Sequence, residues 1–450
     1  MLCSGIHITE DRMDTNEVQD LNREKRRRRR RINRFLSIMV VVAFVAVIAV
    51  LGVFIYMKIA EMQKGSQHQS DVTEKLEELT GDETEVPVVS APDVEVVVPQ
   101  VDPLEEALKA MIAEMPVEDK VAGLFFVTPE SITGVGAAVK AGDGTKKALE
   151  ENKVGGIIYS KKNIQNKEQI TEMIATTQSY SETKLFFGIS EEGAASNLAG
   201  KVDVADVEKA SVLGENTVTD ATYEAGKTVG TYLKEIGFNV NFAPVADVKT
   251  DEENKLLGDR SFGADASNVA SHVAAMVKGL EETGVSSAVK EFPGIGSASK
   301  KTADGLSITD RTLEEMQSTE FVSFQAAITE NADFIMVSNV AAPNLIGGLY
   351  TPSCLEKTIV KDILREQLGY EGIIITAPLN EAAITEYYTS SEATVMAIYA
   401  GVDMILMPAS YEEAYFGLLA EVLEGNISEE RIDESLLRIY KVKYADMVVE

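Results

Sequence analysis

The sequence contains few of the side chains on which metal and thiol chemistry depend. Its two cysteines are Cys3 and Cys354, and its three histidines are His7, His68 and His272. Two thiols cannot build a disulfide framework or a thiolate metal site. Three scattered imidazoles argue against zinc chemistry and against most histidine-based acid–base catalysis. We therefore expect neither a metal ion nor another cofactor.

Features of nucleotide-binding and nucleic-acid-binding proteins are also scarce. Neither G-x-G-x-x-G nor G-x-x-x-x-G-K-[ST] follows an apolar run of the sequence, which argues against a phosphate-binding loop. The formal net charge is −30, whereas a protein that binds phosphate backbones needs clustered lysine and arginine. We expect no nucleic-acid partner. The composition, 45% apolar and 25% charged, is that of a folded chain with a large core.

Charge is absent from one long apolar segment, residues 35–57. At about 1.5 Å per residue, a helix of this length crosses a hydrocarbon core of roughly 30 Å. A cleaved signal peptide is the alternative, but its apolar region is shorter and ends in a small-residue cleavage site. Here the segment leads into Tyr56, Met57 and Lys58 without such a site. The six arginines Arg26–Arg31 precede it, and basic flanks stay on the cytoplasmic side.

This pattern predicts a single-pass protein of the plasma membrane. Residues 1–34 form a basic cytoplasmic segment, 35–57 the transmembrane helix, 58–102 an acidic stalk rich in valine and proline, and 103–450 an extracellular domain. Proline and charges of one sign keep a segment such as the stalk extended.

From Pro103 onward, short apolar runs alternate with amphipathic segments. The uniformly apolar runs are typical of parallel strands covered on both faces. They span residues 121–127, 155–159, 185–189, 240–245, 286–290, 333–338, 372–376 and 403–407. Helical patterns include 166–181, 220–237, 266–284 and 391–401. This alternation predicts an α/β fold, a (β/α)8 TIM-type barrel, with an open doubly wound sheet as the alternative. His272 falls in a helical pattern, where we expect it to pack rather than to bind a ligand.

Segments at the predicted strand ends are similar to those of a known family. They include FNVNFAPVADV, GDRSFG, KEFPGIG, TDRTLEEM, GIIIT and AGVDMILMP. Over residues 104–447, their number, order and spacing resemble glycoside hydrolase family 3, in particular its single-barrel bacterial β-N-acetylhexosaminidases. The resemblance implies a barrel with a sugar pocket at the C-terminal strand ends. It also implies retaining glycosidase chemistry, in which a nucleophile and an acid/base flank the scissile bond.

The residues that the resemblance implies for hydrolysis are replaced in this chain. The nucleophile is an aspartate after strand seven, where this chain has Ala377. The acid/base histidine and its supporting aspartate lie after strand five, and they align with Ala303 and Lys301. A methyl group can neither attack an anomeric carbon nor stabilise an oxocarbenium ion. We therefore assign no catalytic residue and expect an inactive domain.

The positions that hold the sugar are better kept. Arg260 and Lys290 match positions that hold the sugar in the family. In the segment KEFPGIG, Glu291 stands where the family has a histidine. These three are the candidate ligand-binding residues. Further replacements are Ser190 for an aspartate, Ala195 for an arginine, and Ile295 and Asn339 for histidines. Asp247 and Asp259 are expected to hydrogen-bond backbone groups at the strand tips.

Three functions stay open at this point. The first is a non-catalytic domain, because losing several members of one catalytic unit leaves little hydrolysis. Such a domain would bind cell-wall or amino-sugar glycan, such as a peptidoglycan fragment, or scaffold another envelope protein. The second is an active glycosidase that cleaves N-acetylglucosaminides with substitute carboxylates. The candidates are Glu191, Glu192, Glu291, Asp304 and Glu381. The third is a protein-interaction module whose pocket is filled; an open cleft would argue against it.

Overall fold

The computed structural model describes residues 102–193, 196–298, 300–301 and 305–447, with the backbone alone described at 300 and 301. These residues belong to Val98–Glu450, the second of two units of the chain. The predicted cytoplasmic segment and transmembrane span, and all but the last residue of the predicted stalk, lie outside the described residues. None of the helices within those ranges is long and apolar enough to cross a membrane.

Eight parallel strands form a nearly closed barrel of the TIM type. In chain order the strands of the structure are β1 (Phe125–Val127), β2 (Gly156–Ile158), β3 (Phe186–Ile189), β4 (Val240–Asn241), β5 (Ser286–Phe292), β6 (Lys300–Lys301), β7 (Ser307–Ile308), β8 (Phe334–Val337), β9 (Ile373–Thr376) and β10 (Ile405–Leu406). The barrel order is β10-β1-β2-β3-β4-β5-β8-β9, and β6 pairs with β7 separately and antiparallel. A parallel bridge between Ile375 and Met404 brings the two end strands together.

Helices follow most of the strands, as the alternation predicts. They are α1 (Pro103–Ala113), α2 (Val117–Ala122), α3 (Pro129–Thr133), α4 (Asp143–Glu151), α5 (Lys167–Ser179), α6 (Ala210–Leu213), α7 (Asp220–Ile236), α8 (Ala266–Glu281), α9 (Leu313–Ser318), α10 (Glu320–Thr329), α11 (Ala382–Thr385), α12 (Ser390–Ala400), α13 (Tyr411–Leu423) and α14 (Glu429–Lys443). A π-helix spans Thr358–Gln367, and 3-10 turns span Lys161–Asn163, Pro343–Leu345 and Ser353–Leu355.

Side-chain caps explain where several of these helices begin. The Asn166 side chain accepts a hydrogen bond from the backbone N–H of Gln169 before α5, and Asp265 accepts one from Asn268 before α8. Each cap satisfies an N–H group that the first helical turn leaves without a partner.

Aromatic rings from neighbouring strands fill the barrel interior. The Phe126 ring lies 5.4 Å from that of Phe242 and 6.2 Å from that of Phe186, measured between centroids. Gly188 leaves the space for this packing, because a Cβ there would lie 2.7 Å from both the Phe126 and Phe242 rings. The barrel is therefore a packed core, and binding sites belong at its ends.

Each of the eight predicted apolar runs overlaps one barrel strand, and β5 extends two residues beyond the end of its run at residue 290. The first run, residues 121–127, starts too early, because Val121 and Ala122 belong to α2. His272 packs as expected. Its ring is buried, stacks on Phe262 at 5.3 Å between centroids, and hydrogen-bonds Thr222 at 2.6 Å.

Candidate functional site

A cavity of about 390 Å³ lies at the C-terminal ends of the barrel strands. Ala377, which follows β9, lines it together with Arg260, Lys290 and Glu291. The cavity therefore brings the replaced nucleophile position and the three candidate ligand-binding residues into one site. A barrel places these residues together because all parallel strands end on the same side.

A network of four ionic side chains borders the cavity, and three of them, Arg260, Lys290 and Glu291, line it. The Arg260 guanidinium donates to Glu192 from Nε at 2.7 Å and from Nη2 at 3.1 Å, and Nη2 also donates to Glu291 Oε1 at 3.0 Å. Lys290 Nζ lies 2.6 Å from Glu192 Oε1 and donates to Ser190 Oγ at 3.0 Å. Two cations and two carboxylates thus meet, and their charges cancel.

Glu192 is the centre of this network. Burial alone would raise the pKa of Glu192, but the charges of Lys290 and Arg260 and their hydrogen bonds outweigh burial and lower it to about 2. Burial opposes the charge on Arg260, yet its hydrogen bonds to Glu192 and the charges of the two carboxylates raise its pKa. Both groups stay charged over the whole physiological range of pH.

Asp247 holds the loop after β5 from behind the cavity. Its buried carboxylate accepts hydrogen bonds from the backbone N–H of Glu291, at 3.1 Å, and of Ile295. Burial, with a contribution from the charge of Glu291, raises the pKa of Asp247 to about 7. The expected backbone role of Asp247 is confirmed. For Asp259 it is wrong, because this exposed side chain ion-pairs with Lys209 at 2.7 Å.

Ala377 lies on the opposite wall, near an amide and a thiol. Asn339 Nδ2 donates to the Pro378 carbonyl oxygen at 3.0 Å and to Glu381 Oε2 at 3.1 Å. The buried Cys354 thiol lies behind the wall, where its Sγ donates to Asn339 Oδ1 at 3.2 Å. Burial raises the pKa of this thiol. Asn339 follows β8, at the position where the family resemblance implies a histidine. The replacement therefore gives a neutral residue that braces the loop after β9.

The remaining predicted positions divide into two groups. Ala303, Ala195 and Asp304 lie outside the described residues, and of Lys301 the structure describes its backbone in β6. Glu191 is described and lies apart from the cavity. Its Oε2 accepts from the backbone N–H of Asn197 and Leu198 at 3.2 and 3.3 Å, and burial raises its pKa to about 7. Within the described ranges, no group of three or more His, Cys, Asp or Glu side chains could hold a metal ion.

Sequence reasoning missed the role of Glu192, which it treated as a substitute acid. The positions of Glu192 and Lys290 relative to the strand ends could have indicated this role. Glu192 comes three residues after the end of β3, and Lys290 lies near the end of β5, two barrel strands away. Oppositely charged residues at strand ends on the same side of the barrel, two strands apart, point to an ion pair, although the sequence does not show that Arg260 joins it.

Comparisons with known proteins agree with this architecture. Residues 116–442 match the glycosyl hydrolase family 3 N terminal domain. The chain is 30% identical over 323 residues to "Beta-hexosaminidase A" of Pseudoalteromonas piscicida, covering 64% of this chain and 53% of the relative. It is 27% identical over 284 residues to "Beta-N-acetylglucosaminidase/beta-glucosidase" of Cellulomonas fimi, covering 60% and 49%. The chain thus spans about half the length of both relatives.

A similar solved structure is a glycoside hydrolase family 3 β-N-acetylglucosaminidase from Paenibacillus sp. str. FPU-7. It superposes with a TM-score of 0.69 at 30% identity, over 75% of this chain and 64% of that one. The β-N-acetylglucosaminidase of Thermotoga maritima, at 22% identity and a TM-score of 0.61, shares the fold.

Proposed function

The chain belongs to the glycosyl hydrolase family 3 N-terminal domain family, and we propose that it is a non-hydrolytic member that binds glycans containing amino sugars. The observation that carries the proposal is the composition of the cavity wall. Ala377 stands where the family resemblance implies the nucleophile, while Arg260 and Lys290 line the same cavity. The hexosaminidase names of the relatives support the ligand class.

The ionic network suits the binding of neutral sugars. Arg260 and Lys290 are cationic donors, and Glu192 and Glu291 balance their charge. Fixed donors of this kind recognise sugar hydroxyls by hydrogen bonds, each worth about 0.5–1.5 kcal/mol net. An acidic sugar would bring a carboxylate next to two others, so we expect N-acetylglucosamine units to bind better than uronic acids.

Hydrolysis is tested with the full-length chain in detergent and an aryl N-acetylglucosaminide. We expect chromophore release no faster than in buffer, because Ala377 cannot form a glycosyl intermediate. Turnover that disappears in Glu291→Gln would overturn the proposal, since it would identify a working carboxylate in the cavity.

Binding is tested by calorimetry with N-acetylglucosamine oligomers. We expect saturable heat that Arg260→Met weakens roughly tenfold, the loss of one or two hydrogen bonds. Arg311→Met is the matched control, because Arg311 is similarly shielded, pairs with Glu320 and does not line the cavity. Absence of both heat and a thermal shift would instead favour a scaffold for another envelope protein.

An active glycosidase with substitute carboxylates is the second candidate. One observation favours it: Glu291 and Glu381 both line the cavity. A retaining pair of carboxyl groups is about 5–5.5 Å apart and an inverting pair about 6.5–9.5 Å apart. If turnover is detected, loss in both Glu291→Gln and Glu381→Gln would support this candidate, and the anomer released would distinguish the two mechanisms.

We further propose that residues 35–57 anchor the chain in the plasma membrane, with the barrel domain on the extracellular side. The support is in the sequence: an uncharged span of membrane length that follows Arg26–Arg31. Such a chain would present its barrel to cell-wall glycan.

A further inference from the structure

A second cavity, of about 480 Å³, lies at the opposite, N-terminal end of the barrel. Its walls include Phe186 at the start of β3, Ser286 at the start of β5, and Asp333 just before β8. Lys443, the last residue of α14, closes one side. The family resemblance gives this end no role in sugar binding.

Lys443 is a buried lysine to which no described residue supplies a counter-ion. The residue is 8% exposed, and its Nζ lies 4.9 Å from the centroid of the Phe186 ring and 5.7 Å from that of Tyr440. Within the described part of the chain, no hydrogen bond or ion pair to its ammonium is present. By contrast Lys120, the other deeply buried lysine near α14, pairs with Glu429 and Asp433.

The acidic residues of the cavity are engaged elsewhere. Glu281 Oε1 accepts hydrogen bonds from Ser287 N and Oγ at 2.9 and 2.7 Å. Asp333 accepts from the Ser286 hydroxyl at 2.6 Å. Burial raises the pKa of both carboxyls, that of Glu281 to about 8 with help from the nearby Asp333. The pair therefore retains a proton near neutral pH.

The other charges at the cavity are also satisfied. Asp446 pairs with Lys184 at 2.5 Å, and Lys234 Nζ donates to the Gly284 carbonyl oxygen at 3.2 Å. Among the described residues that line the cavity, the Lys443 ammonium is thus the charge left without a partner. A buried unpaired charge is costly, and burial accordingly lowers the pKa of Lys443 to about 7.

We propose that this cavity is a binding site for a small oxyanion, a carboxylate or phosphate group, which pairs with the Lys443 ammonium. The oxyanion supplies a counter-charge in a cavity that these protein groups already line. A charge-assisted hydrogen bond there is stronger than one between neutral groups. The aromatic faces of Phe186 and Tyr440 stabilise the same cation.

The apolar part of the wall adds a preference. Leu185, Phe186 and Val442 line the cavity beside Lys443, so the apolar body of a short-chain carboxylate would be buried there. Butyrate has two more CH₂ groups than acetate and should then bind better, by about fourfold for each of these groups that is buried. Phosphate lacks this contribution.

The experiment measures thermal stability of the full-length chain in detergent, below pH 7, with butyrate, acetate or inorganic phosphate against sodium chloride at equal ionic strength. We expect a saturable rise of the melting temperature with at least one oxyanion. Lys443→Met should weaken binding roughly tenfold. The control is Lys441→Met, which should leave binding unchanged. Lys441 lies two residues from Lys443, is exposed and pairs with Glu105.

A second measurement on the unchanged protein keeps the test decisive if Lys443→Met fails to fold. The lysines are acylated near neutral pH, and each site is followed by mass spectrometry. We expect the effective oxyanion to slow labelling of Lys443 roughly tenfold and to leave Lys441 unchanged. No saturable shift with any probe, or a shift that persists in Lys443→Met, would overturn the proposal.

Discussion

Glu192 shows how one side chain can hold the charges of a binding site in place. It accepts two hydrogen bonds from Arg260 and lies 2.6 Å from Lys290, while its own side chain is 9% exposed. Its negative charge offsets the repulsion between the two neighbouring cations, which is strong in a shielded site. The network is therefore a structural support as well as a surface for ligands.

Removal of the Glu192 charge should cost stability in a pH-dependent way. Glu192→Gln should lower the free energy of unfolding at pH 7 by roughly 3 kcal/mol, the usual cost of breaking a buried pair. The folded-state pKa, about 2, lies below the ordinary value of 4.5. Its contribution is complete above pH 4.5 and disappears as the pH falls toward 2. Urea denaturation at several pH values measures this difference.

Glu182→Gln is the control for this prediction. Glu182 pairs with Lys153 at 2.7 Å, but its side chain is 82% exposed, so solvent screens the pair and the loss should be much smaller than for Glu192→Gln. An equal loss for Glu192→Gln at pH 7 and at the lowest accessible pH would show that the network does not act through charge.

At the scale of elements, the loop after β5 is fixed by close contact with the loop after β4. A Cβ at Gly296 would lie 1.8 Å from the Val248 carbonyl oxygen. The carbonyl oxygen of Gly296 accepts a hydrogen bond from Asn254 Nδ2 at 3.0 Å. Together with Asp247, these contacts set the position of Glu291 in the cavity.

Gly296→Ala should therefore disturb the site. We expect a loss of about 1–3 kcal/mol, typical of overpacking, and weaker glycan binding, because the loop must move away from Val248. Gly144→Ala is the comparison, since a Cβ at Gly144 in α4 meets nothing within 4 Å, and alanine in a helix stabilises by up to about 1 kcal/mol. Denaturation of both variants measures the change in stability, and calorimetry measures the change in glycan binding. Unchanged binding in Gly296→Ala would contradict the expectation.

Elements differ in how far the sequence predicts them. The barrel strands were predictable because uniformly apolar runs mark strands buried on both faces. The start of β1 was not, since an apolar run does not distinguish a buried strand from the adjoining helix α2. The short pair β6–β7 has no apolar run at all. In the site, the motif positions predicted that Ala377 and Arg260 share a cavity, but the Glu192 contacts depend on loop geometry that spacing does not encode.

At the scale of the whole molecule, the charge is unequally distributed along the chain. Residues 1–34 contain ten basic and six acidic residues, although the whole chain has a net charge of −30. The basic part adjoins the uncharged span 35–57, an arrangement typical of an anchor oriented with its N-terminus in the cytoplasm. The acidic remainder would repel anionic polymers.

Deletion of residues 1–57 tests the proposed anchor. Because the deletion removes the apolar span and leaves Val98–Glu450 intact, we expect the chain to move from the membrane pellet to the supernatant after centrifugation. A shorter deletion, of residues 1–34, keeps the span and should stay in the pellet. Recovery of the full-length chain in the supernatant would contradict the proposal.

The enclosed thiol of Cys354 provides a reporter of global opening. The thiolate of an accessible cysteine attacks an alkylating reagent, whereas Cys354 is both 0% exposed and hydrogen-bonded to Asn339. Cys354 can therefore be modified only after the packing around β8 and β9 opens. The alkylation rate of this single position, resolved from Cys3 by peptide mapping, would then follow the opening equilibrium of the barrel without any introduced label.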